Sequence, residues 1–370
     1  MNEYTNQREI LEHFLLEGTV LNVQRHGSGH INDTYLVQLQ KDDGKVSPII
    51  LQHMNKKVFH KPVEVMENIL NVTSYLREEI IRNGRDPERE TLNIICTKDG
   101  TPYLIDSEGE YWRCMKFIEN AKTYDQVESM EDFYESAVAF GRFQRLLANY
   151  PAEKLHETIE GFHDTKARFE VFKKAVADDV CGRADSVREE IEFYLNHEEL
   201  ANVFGDMLQR GEIPLRVTHN DTKLNNVMID TKTGRGICVI DLDTVMPGLA
   251  MNDFGDSIRY GASTAAEDER DLSKVWCSME LFEVYTKGFI KGCGGQLTTK
   301  EIELLPMGAK VMTYECGMRF LTDYLQGDTY FKTHREGQNL DRCRTHIKLI
   351  KDMEAKWDRM NMIVKEEIVK

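Results

Sequence analysis

The sequence predicts an α+β fold of two lobes, an antiparallel sheet with helices followed by a larger, mainly helical lobe. Six strand-like runs lie between residues 20 and 118, and Gly-containing turns separate several of them. Beyond residue 120, apolar residues recur mostly at helical spacing. A chain of 370 residues also exceeds one ordinary hydrophobic core. We therefore predict an N-terminal lobe of residues 1–119 and a C-terminal lobe of residues 120–370.

The elements of both lobes follow from local patterns. A helix that starts at Pro62 and ends before Gly84 carries an apolar stripe on one side. Capping-type pairs, Ser129 with Asp132 and Thr298 with Glu301, open two later helices. The predicted strands are 20–23, 34–39, 48–54, 92–96, 101–105 and 111–118, and the predicted helices are 7–17, 62–83, 129–150, 185–210, 273–290, 299–326 and 338–368.

Composition excludes several classes of protein. The net charge of −16 and the absence of a Lys/Arg block argue against a nucleic-acid surface. The sequence has no apolar run of the roughly 20 residues that a membrane-spanning helix needs, and no secretory signal pattern. The eight cysteines have no C-x-x-C spacing that would indicate a zinc or redox site. We therefore expect a cytoplasmic monomer with no nucleic-acid or membrane partner.

The most informative stretch is 217–243, which contains His219-x-Asp221-x-x-x-x-Asn226. This is the spacing of a kinase catalytic loop, in which the Asp accepts the proton of the acceptor hydroxyl and the Asn holds a magnesium ion. The motif alone is weak, because all three residue types are common in loops. Two strand-like runs, 226–230 and 237–241, follow it and flank a polar turn.

The turn predicts where a second metal ligand lies. If the six residues between Asp230 and Ile237 form the hairpin loop, Asn226 pairs directly with Asp241. Directly opposed side chains of an antiparallel pair lie roughly 5 Å apart at Cβ. Amide and carboxylate oxygens are the ligands that Mg²⁺ prefers. We therefore predict Asn226 and Asp241 as metal ligands, with Asp243, on the same strand face, as the alternative to Asp241.

A literal Asp253-Phe254-Gly255 matches the magnesium motif of protein kinases. No apolar strand precedes it, and it lies 12 residues beyond Asp241. We therefore predict that Asp253 and Asp256 cap the following helix or brace the catalytic loop instead of binding the metal.

The glycine turn before the second strand is a candidate phosphate cover. Gly27, Ser28 and Gly29 would let backbone amides approach the phosphates of ATP, although an ordinary hairpin turn explains the same residues. Gln52 stands in the third strand, where a protein kinase carries a phosphate-pairing lysine. A neutral Gln52 can still donate a hydrogen bond to a phosphate. Residues 117–119 are a candidate hinge near the adenine.

These segments resemble the aminoglycoside phosphotransferase/choline kinase-like branch of the kinase fold and, more closely, the bacterial N-acetylhexosamine 1-kinases. The matching segments span much of the chain and are 27–35, 215–226, 240–244, 253–259 and 315–321. The resemblance implies a two-lobed protein-kinase-like fold. It also implies phosphorylation of the anomeric C1 hydroxyl of a free N-acetylhexosamine by ATP with Mg²⁺.

The resemblance further implies roles for single residues. Asp221 would be the base, Asn226 and Asp241 the metal ligands, and His30, Arg319 and Tyr330, together with Asp221 and Asp241, would hold the sugar. Residue type alone leaves other interpretations open. His30 could be a loop histidine, Arg319 could pair with Glu315 four residues before it, and Tyr330 could be a core residue.

Two alternative functions remain open from the sequence. One is a different small-molecule kinase of this fold, acting on an aminoglycoside, choline, homoserine or another sugar. The other is a non-catalytic nucleotide-binding module, which Gln52 suggests and the intact Asp221, Asn226 and Asp241 oppose. Within the N-acetylhexosamines, the sequence does not separate N-acetylglucosamine from N-acetylgalactosamine.

Overall fold

The computed structural model describes residues 4–27 and 31–368. The predicted order of a sheet lobe followed by a helical lobe is confirmed. The strands are β1 (Thr19–Arg25), β2 (Asp33–Gln40), β3 (Val46–Met54), β4 (Ile94–Ile95), β5 (Leu104–Ile105), β6 (Tyr111–Lys116), β7 (Ala121–Lys122), β8 (Arg216–Thr218), β9 (Val227–Asp230), β10 (Gly236–Val239) and β11 (Met246–Gly248). The helices are α1 (Thr5–Leu11), α2 (Pro62–Arg82), α3 (Pro87–Glu90), α4 (Met130–Leu146), α5 (Thr165–Asp178), α6 (Arg188–Asn196), α7 (Glu198–Gln209), α8 (Ala250–Gly261), α9 (Met279–Cys293), α10 (Thr299–Glu303), α11 (Leu305–Leu325), α12 (Gln338–Ala355) and α13 (Trp357–Ile368).

The N-terminal sheet has the strand order β1-β2-β3-β6-β4, with β5 also paired to β6, and its paired strands are antiparallel. Because side chains alternate across a strand, the two faces carry different residues. Tyr35, Leu51 and Cys114 belong to the face that packs against α1 in a small apolar core. Thr34, Gln52 and Arg113 occur at the opposite parity and form one row across three strands. The row of polar residues therefore lies on the face away from α1.

Helix α2 connects the sheet to the second lobe. Its stripe of Val65, Ile69, Val72 and Leu76 is buried in the main apolar core. Complete burial of such a side chain stabilises the fold by about 1.5–3 kcal/mol. Asn68 adds directional contacts, since its Nδ2 donates to the carbonyls of His156 at 2.8 Å and Val245 at 3.0 Å. The two lobes thus share one hydrophobic core along α2.

The second lobe is mainly helical and has two small sheets, β10-β9-β7 and β11-β8. α4 packs on α9, and α11 packs on α8 and α12. Strand β7 pairs with β9, so the chain joins the second lobe soon after β6 ends at Lys116. The boundary at residue 119 remains a prediction. None of the described helices has the length and apolarity that crossing a membrane requires.

Several predicted elements differ from the structure, and the helices predicted over 299–326 and 338–368 are each two helices, α10 with α11 and α12 with α13. The first helix ends at Leu11 instead of residue 17, because Phe14 forms a β-bridge with Thr97 and the chain there is extended. The helix predicted over 185–210 is two helices that break at His197. The short strands β4 and β5 have two residues each, fewer than their apolar runs indicate.

The predicted register of the catalytic hairpin is wrong by one residue. The loop is shorter than six residues, since Asp230 N donates to Arg235 O at 2.8 Å, and an irregularity follows between Gly236 and Cys238. Met228 therefore pairs with Cys238, and the backbone of Asn226 accepts from Ile240 N at 2.9 Å. A side chain at Gly236 would meet Glu135 O of α4 at 2.5 Å, so this backbone lies against the helix. Asn226 consequently faces Ile240 and not Asp241.

Candidate active site

The catalytic loop starts where β8 ends, and its first residue is fully buried. His219 packs edge-to-face on Phe140, with 5.5 Å between ring centroids. Its Nε2 donates to Ile240 O at 2.8 Å, and its Nδ1 accepts from Asp221 N at 3.3 Å. These two bonds fix one ring tautomer. His219 thereby ties the loop to the last residue before Asp241.

Asp253 and Asp256 of α8 brace the loop, as predicted, and do not cap the helix. The Asp253 carboxylate accepts from the backbone N–H of His219 at 2.9 Å and of Asn220 at 2.8 Å. Asp256 accepts from Thr222 N at 3.0 Å and pairs with Arg259 at 2.8 Å. Burial raises the pKa of Asp253, and the backbone donors offset only part of this rise. The literal Asp-Phe-Gly sequence therefore has a positioning role.

Asp221 is half-buried and both of its carboxylate oxygens have partners. Oδ1 lies 2.7 Å from Lys223 Nζ, and Oδ2 accepts from Asn226 Nδ2 at 3.3 Å. Burial lowers the pKa of Lys223, but Asp221 and Asp256 raise it more strongly, so the ammonium stays charged. Asn226 Nδ2 also donates to Asp221 O at 2.8 Å. The amide nitrogen of Asn226 thus faces Asp221, which leaves its oxygen as the atom available to a metal.

Asp241 follows β10 in a left-handed backbone conformation, with φ of 59°. Its side chain reaches water, yet protein surrounds it closely. That partial loss of hydration, together with Asp243 and Asp221, raises the pKa of Asp241 to about 6. Among the described residues, no side chain donates a hydrogen bond to its carboxylate or pairs with it. A carboxylate crowded by two others and short of donors is suited to a divalent cation.

Asp243 does not lie on the strand face that the sequence predicted. It lies in a 3₁₀ turn, Leu242–Thr244, where Arg113 of β6 forms an ion pair with its Oδ1. Its Oδ2 accepts from Asn32 Nδ2 at 2.6 Å. The hairpin register fails here because β10 ends at Val239 and the chain turns before residue 243. Both carboxylate oxygens of Asp243 therefore already bind residues of the first lobe.

The predicted phosphate cover is described only in part. Gly27 lies in an exposed bend with φ of +76°, a conformation that favours glycine. Ser28, Gly29 and His30 lie outside the described residues. Gln52 donates from Nε2 to Thr34 Oγ1 and accepts at Oε1 from Arg113 Nε, both at 2.9 Å. Both ends of the Gln52 amide are thus engaged within the sheet, and its contact with a phosphate remains a prediction.

Arg319 and Tyr330, to which the resemblance assigns sugar binding, lie together, and their role in binding the sugar remains a prediction. Arg319 Nη2 is 3.4 Å from the Tyr330 hydroxyl, and the guanidinium lies over the rings of Phe162, Tyr330 and Phe331 at 6.0, 5.8 and 5.4 Å. Tyr330 is 69% exposed, so it is not a core residue. No carboxylate of the described residues lies within ion-pair distance of Arg319. Its donors therefore remain available to a ligand.

Glu315 is not the ion-pair partner of Arg319. It is fully buried on α11, accepts from His163 Nδ1 at 2.8 Å and accepts from Thr165 Oγ1 at 2.7 Å. The second ring nitrogen of His163 faces Asn220 O at 3.4 Å. His163 thus links α11, and the aromatic cluster next to it, to the catalytic loop. Arg319 lies one helical turn after Glu315 on α11, and Asp221 directly follows Asn220 in the loop.

The Glu315–His163 contact predicts a pH-dependent stability. Burial alone would raise the pKa of Glu315, but His163, Arg168 and Arg319 lower it to about 2. A carboxylate in the unfolded chain has a pKa of ~4.3. The charge of Glu315 therefore stabilises the fold above about pH 4, and this stabilisation is lost as the pH falls towards 2. We expect Glu315→Gln to lower the free energy of unfolding by about 3 kcal/mol at pH 7.

Urea unfolding between pH 7 and pH 3 measures this effect. The difference in the free energy of unfolding between wild type and Glu315→Gln should become smaller below pH 4. Glu212→Gln, which removes an exposed carboxylate beside Arg210, should change stability little at any pH. A Glu315→Gln difference that is absent, or constant over the whole range, would contradict the ion-pair assignment.

The donor set of the catalytic loop and the turn after β10 fits a hard divalent cation. It offers the amide oxygen of Asn226 and the unpaired carboxylate of Asp241, and both atoms are of the type that Mg²⁺ binds. Asp221, braced by Lys223, lies beside Asn226. A catalytic loop with these residues, in a helical lobe that follows an antiparallel sheet, defines a kinase-like phosphotransferase.

The chain belongs to the phosphotransferase enzyme family (APH), whose sequence model matches residues 22–278. Membership implies that ATP and a divalent metal ion are used. The predicted two-lobed kinase-like fold is confirmed, as is the expectation of a phosphotransferase that acts on small molecules.

Solved structures share this fold at low sequence identity. An aminoglycoside phosphotransferase from Alicyclobacillus acidocaldarius is 11% identical with a TM-score of 0.59, and the match covers 97% of this chain and 96% of that chain. The amicoumacin kinase hAmiN, solved with AMP-PNP, Ca²⁺ and Ami, is 12% identical with a TM-score of 0.57, covering 96% and 94%. A choline kinase from Cryptosporidium parvum is 14% identical with a TM-score of 0.54, covering 94% and 93%.

Sequence reasoning missed three residues that the structure brings to the site. Lys223 lies two residues after Asp221 and was not considered, although its position in the motif could have marked it. His163 and Arg113 come from distant segments that no motif marks. For Arg113, a charged residue inside an otherwise apolar strand was the available signal.

Proposed function

We propose that the protein transfers the γ-phosphoryl group of ATP, with Mg²⁺, to the anomeric C1 hydroxyl of an N-acetylhexosamine. The observation that carries this proposal is the guanidinium of Arg319, which has no carboxylate partner among the described residues and lies among aromatic rings next to Tyr330. A guanidinium without an acid partner suits hydroxyl and acetamido oxygens as acceptors. It disfavours cationic acceptors such as choline or an aminoglycoside, because like charges repel.

The chain's own residues have separate tasks in this reaction. Asp221 orients the acceptor hydroxyl and accepts its proton, while Lys223 and Asn226 hold the carboxylate in place. Asn226 and Asp241 are the residues that would hold Mg²⁺, which neutralises phosphate charge when bound. In direct in-line transfer, positioning and charge neutralisation supply most of the catalysis. The C1 hydroxyl is more acidic than an ordinary alcohol, so a carboxylate is a sufficient base.

A panel of acceptors tests the proposal. ATP consumption should be measured with N-acetylglucosamine, N-acetylgalactosamine, glucose, galactose, choline and kanamycin. We expect turnover with the two N-acetylhexosamines and little with the others. Turnover confined to choline or kanamycin would contradict the proposed acceptor and leave the phosphotransferase class in place.

The role of Arg319 is tested by Arg319→Ala and Tyr330→Phe. We expect Arg319→Ala to raise the KM for the sugar by about tenfold to a hundredfold, because a hydrogen bond from a charged donor is lost. Tyr330→Phe should have a smaller effect of the same kind. The KM for ATP should stay near that of wild type in both variants. An equal rise in both KM values would contradict a role confined to the acceptor.

A further inference from the structure

Arg113 is a buried cation that the reaction above does not use. It stands directly opposite Gln52 in the β3–β6 register, and Gln52 stands opposite Thr34 in the β2–β3 register. Hydrogen bonds run along this row, from Arg113 Nε to Gln52 Oε1 and from Gln52 Nε2 to Thr34 Oγ1. The row fixes the Gln52 amide in one orientation. It also aims the guanidinium of Arg113 away from the sheet.

The other end of Arg113 crosses to the second lobe. Its Nη1 binds Asp243, and the side chains of the pair are only 3% and 2% exposed. The second oxygen of Asp243 accepts from Asn32, which follows the glycine turn. Asn32 in turn accepts from Asn55 N at 3.0 Å, just after β3. Asp243 is thus held from two points of the first lobe, and it lies two residues after Asp241.

The position and the chemistry of Arg113 together indicate what it contributes to the site. The third strand has a neutral Gln52 where a lysine would supply positive charge next to the phosphates. One strand away, Arg113 is a permanently charged, planar group that can bind Gln52 and Asp243 at once, which the single ammonium of a lysine does less well. A flexible turn at 241–244 would place Asp241 poorly, and a misplacement of about 1 Å in an active site can cost a hundredfold in rate.

We propose that Arg113 is a positioning residue of the nucleotide site: through its ion pair with Asp243 it fixes the turn that carries Asp241 against the sheet of the first lobe. Arg113 acts through Asp243 and Gln52 and needs no contact with the nucleotide. This inference rests on the nucleotide and metal half of the proposed function. A different acceptor would leave it unchanged.

The competing interpretation is an ion pair that only stabilises the fold, and a neutral double variant separates the two. Replacing both members of a buried ion pair by neutral groups often restores stability that a single replacement loses. Arg113→Met with Asp243→Asn should therefore unfold near the wild-type urea midpoint. If the pair positions the site, the dissociation constant for Mg²⁺·AMP-PNP should still rise about tenfold or more, because the turn that carries Asp241 is no longer fixed in place. If it is only structural, affinity should return with stability.

The experiment measures Mg²⁺·AMP-PNP binding by calorimetry and unfolding by urea on the same preparations. Arg216→Met is the matched control, because Arg216 forms a similarly buried pair with Glu301, at 2.5 Å, outside the nucleotide site. This control should lose stability and keep wild-type affinity for Mg²⁺·AMP-PNP. Arg113→Lys retains the charge and covers the case of a double variant that does not fold; we expect about a threefold to tenfold loss of affinity.

The outcomes are distinct. The positioning role is overturned if the double variant binds Mg²⁺·AMP-PNP with wild-type affinity. If the double variant does not fold, wild-type affinity of Arg113→Lys overturns it. Failure of the wild-type protein to bind Mg²⁺·AMP-PNP overturns both this inference and the nucleotide half of the proposed function. Binding of Mg²⁺·AMP-PNP without turnover of N-acetylhexosamines overturns only the proposed acceptor.

Discussion

Asp221→Asn is expected to lower kcat by about 10³-fold, within the range that a general base contributes, and to leave nucleotide binding almost unchanged. The amide cannot accept the acceptor's proton, but it keeps the shape of the carboxylate and can still contact Asn226. Lys223 loses its 2.7 Å ion-pair partner and keeps Asp256 nearby. The fold should therefore be retained. Single-turnover assays and Mg²⁺·AMP-PNP titration measure the two quantities separately.

The control for this variant is Asp271→Asn, an exposed cap of a 3₁₀ turn outside the cleft. It should have wild-type kcat. If Asp221→Asn retains more than about a tenth of wild-type kcat, proton transfer to Asp221 is not an important part of the reaction. If it loses nucleotide affinity in parallel with kcat, Asp221 acts in binding and not as the base.

Asp241→Asn is expected to abolish Mg²⁺-dependent turnover while stabilising the protein slightly in the absence of metal. Loss of a carboxylate ligand removes several kcal/mol of metal-assisted charge stabilisation, or about 10³-fold in rate. Asparagine tolerates the left-handed backbone at this position. The pKa of Asp241 is raised to about 6 by lost hydration and by Asp243 and Asp221, so its charge is unfavourable at pH 7. Because water screens this side chain, the gain in stability should be about 1 kcal/mol.

Asp243→Asn, two residues away, is the matched comparison, and it should change the stability of the protein in the opposite direction. It leaves Arg113 buried without a counter-charge, which should destabilise the protein by about 3 kcal/mol. Urea unfolding without Mg²⁺ gives both values. If Asp241→Asn destabilises the protein as much as Asp243→Asn does, the crowding of Asp241 by the carboxylates of Asp243 and Asp221 is refuted.

The local parts of the fold could be predicted from the sequence, because they depend on patterns within a few residues. The capping serine at residue 129, the proline start of α2 and the alternating strands of the sheet all appear at or near their predicted places. The first helix is shorter than predicted because Phe14 pairs with Thr97, a contact over more than 80 residues that helical periodicity does not encode. Local patterns thus predicted the kinds of elements better than their ends.

The site was predictable in its residue types and less so in its geometry. The hairpin register depended on the turn, and one irregularity between Gly236 and Cys238 moved Asn226 from Asp241 to Ile240. The bracing role of Asp253 could be inferred, since the sequence predicts no apolar strand before it; the structure has only the three-residue β11, which ends five residues earlier. The pairing of Arg113 with Asp243 joins residues 130 positions apart. Only the folded chain brings such groups together.

The regiochemistry of the product tests the central claim most directly. The protein should be incubated with ATP, Mg²⁺ and N-acetylglucosamine or N-acetylgalactosamine, and the product examined by phosphorus and proton NMR. We expect a phosphorus signal coupled to the anomeric proton, which should form about 10³-fold more slowly when Asp221→Asn replaces the wild type. A phosphate on C6, or no phosphorylation of either sugar while choline or kanamycin is phosphorylated, would contradict it.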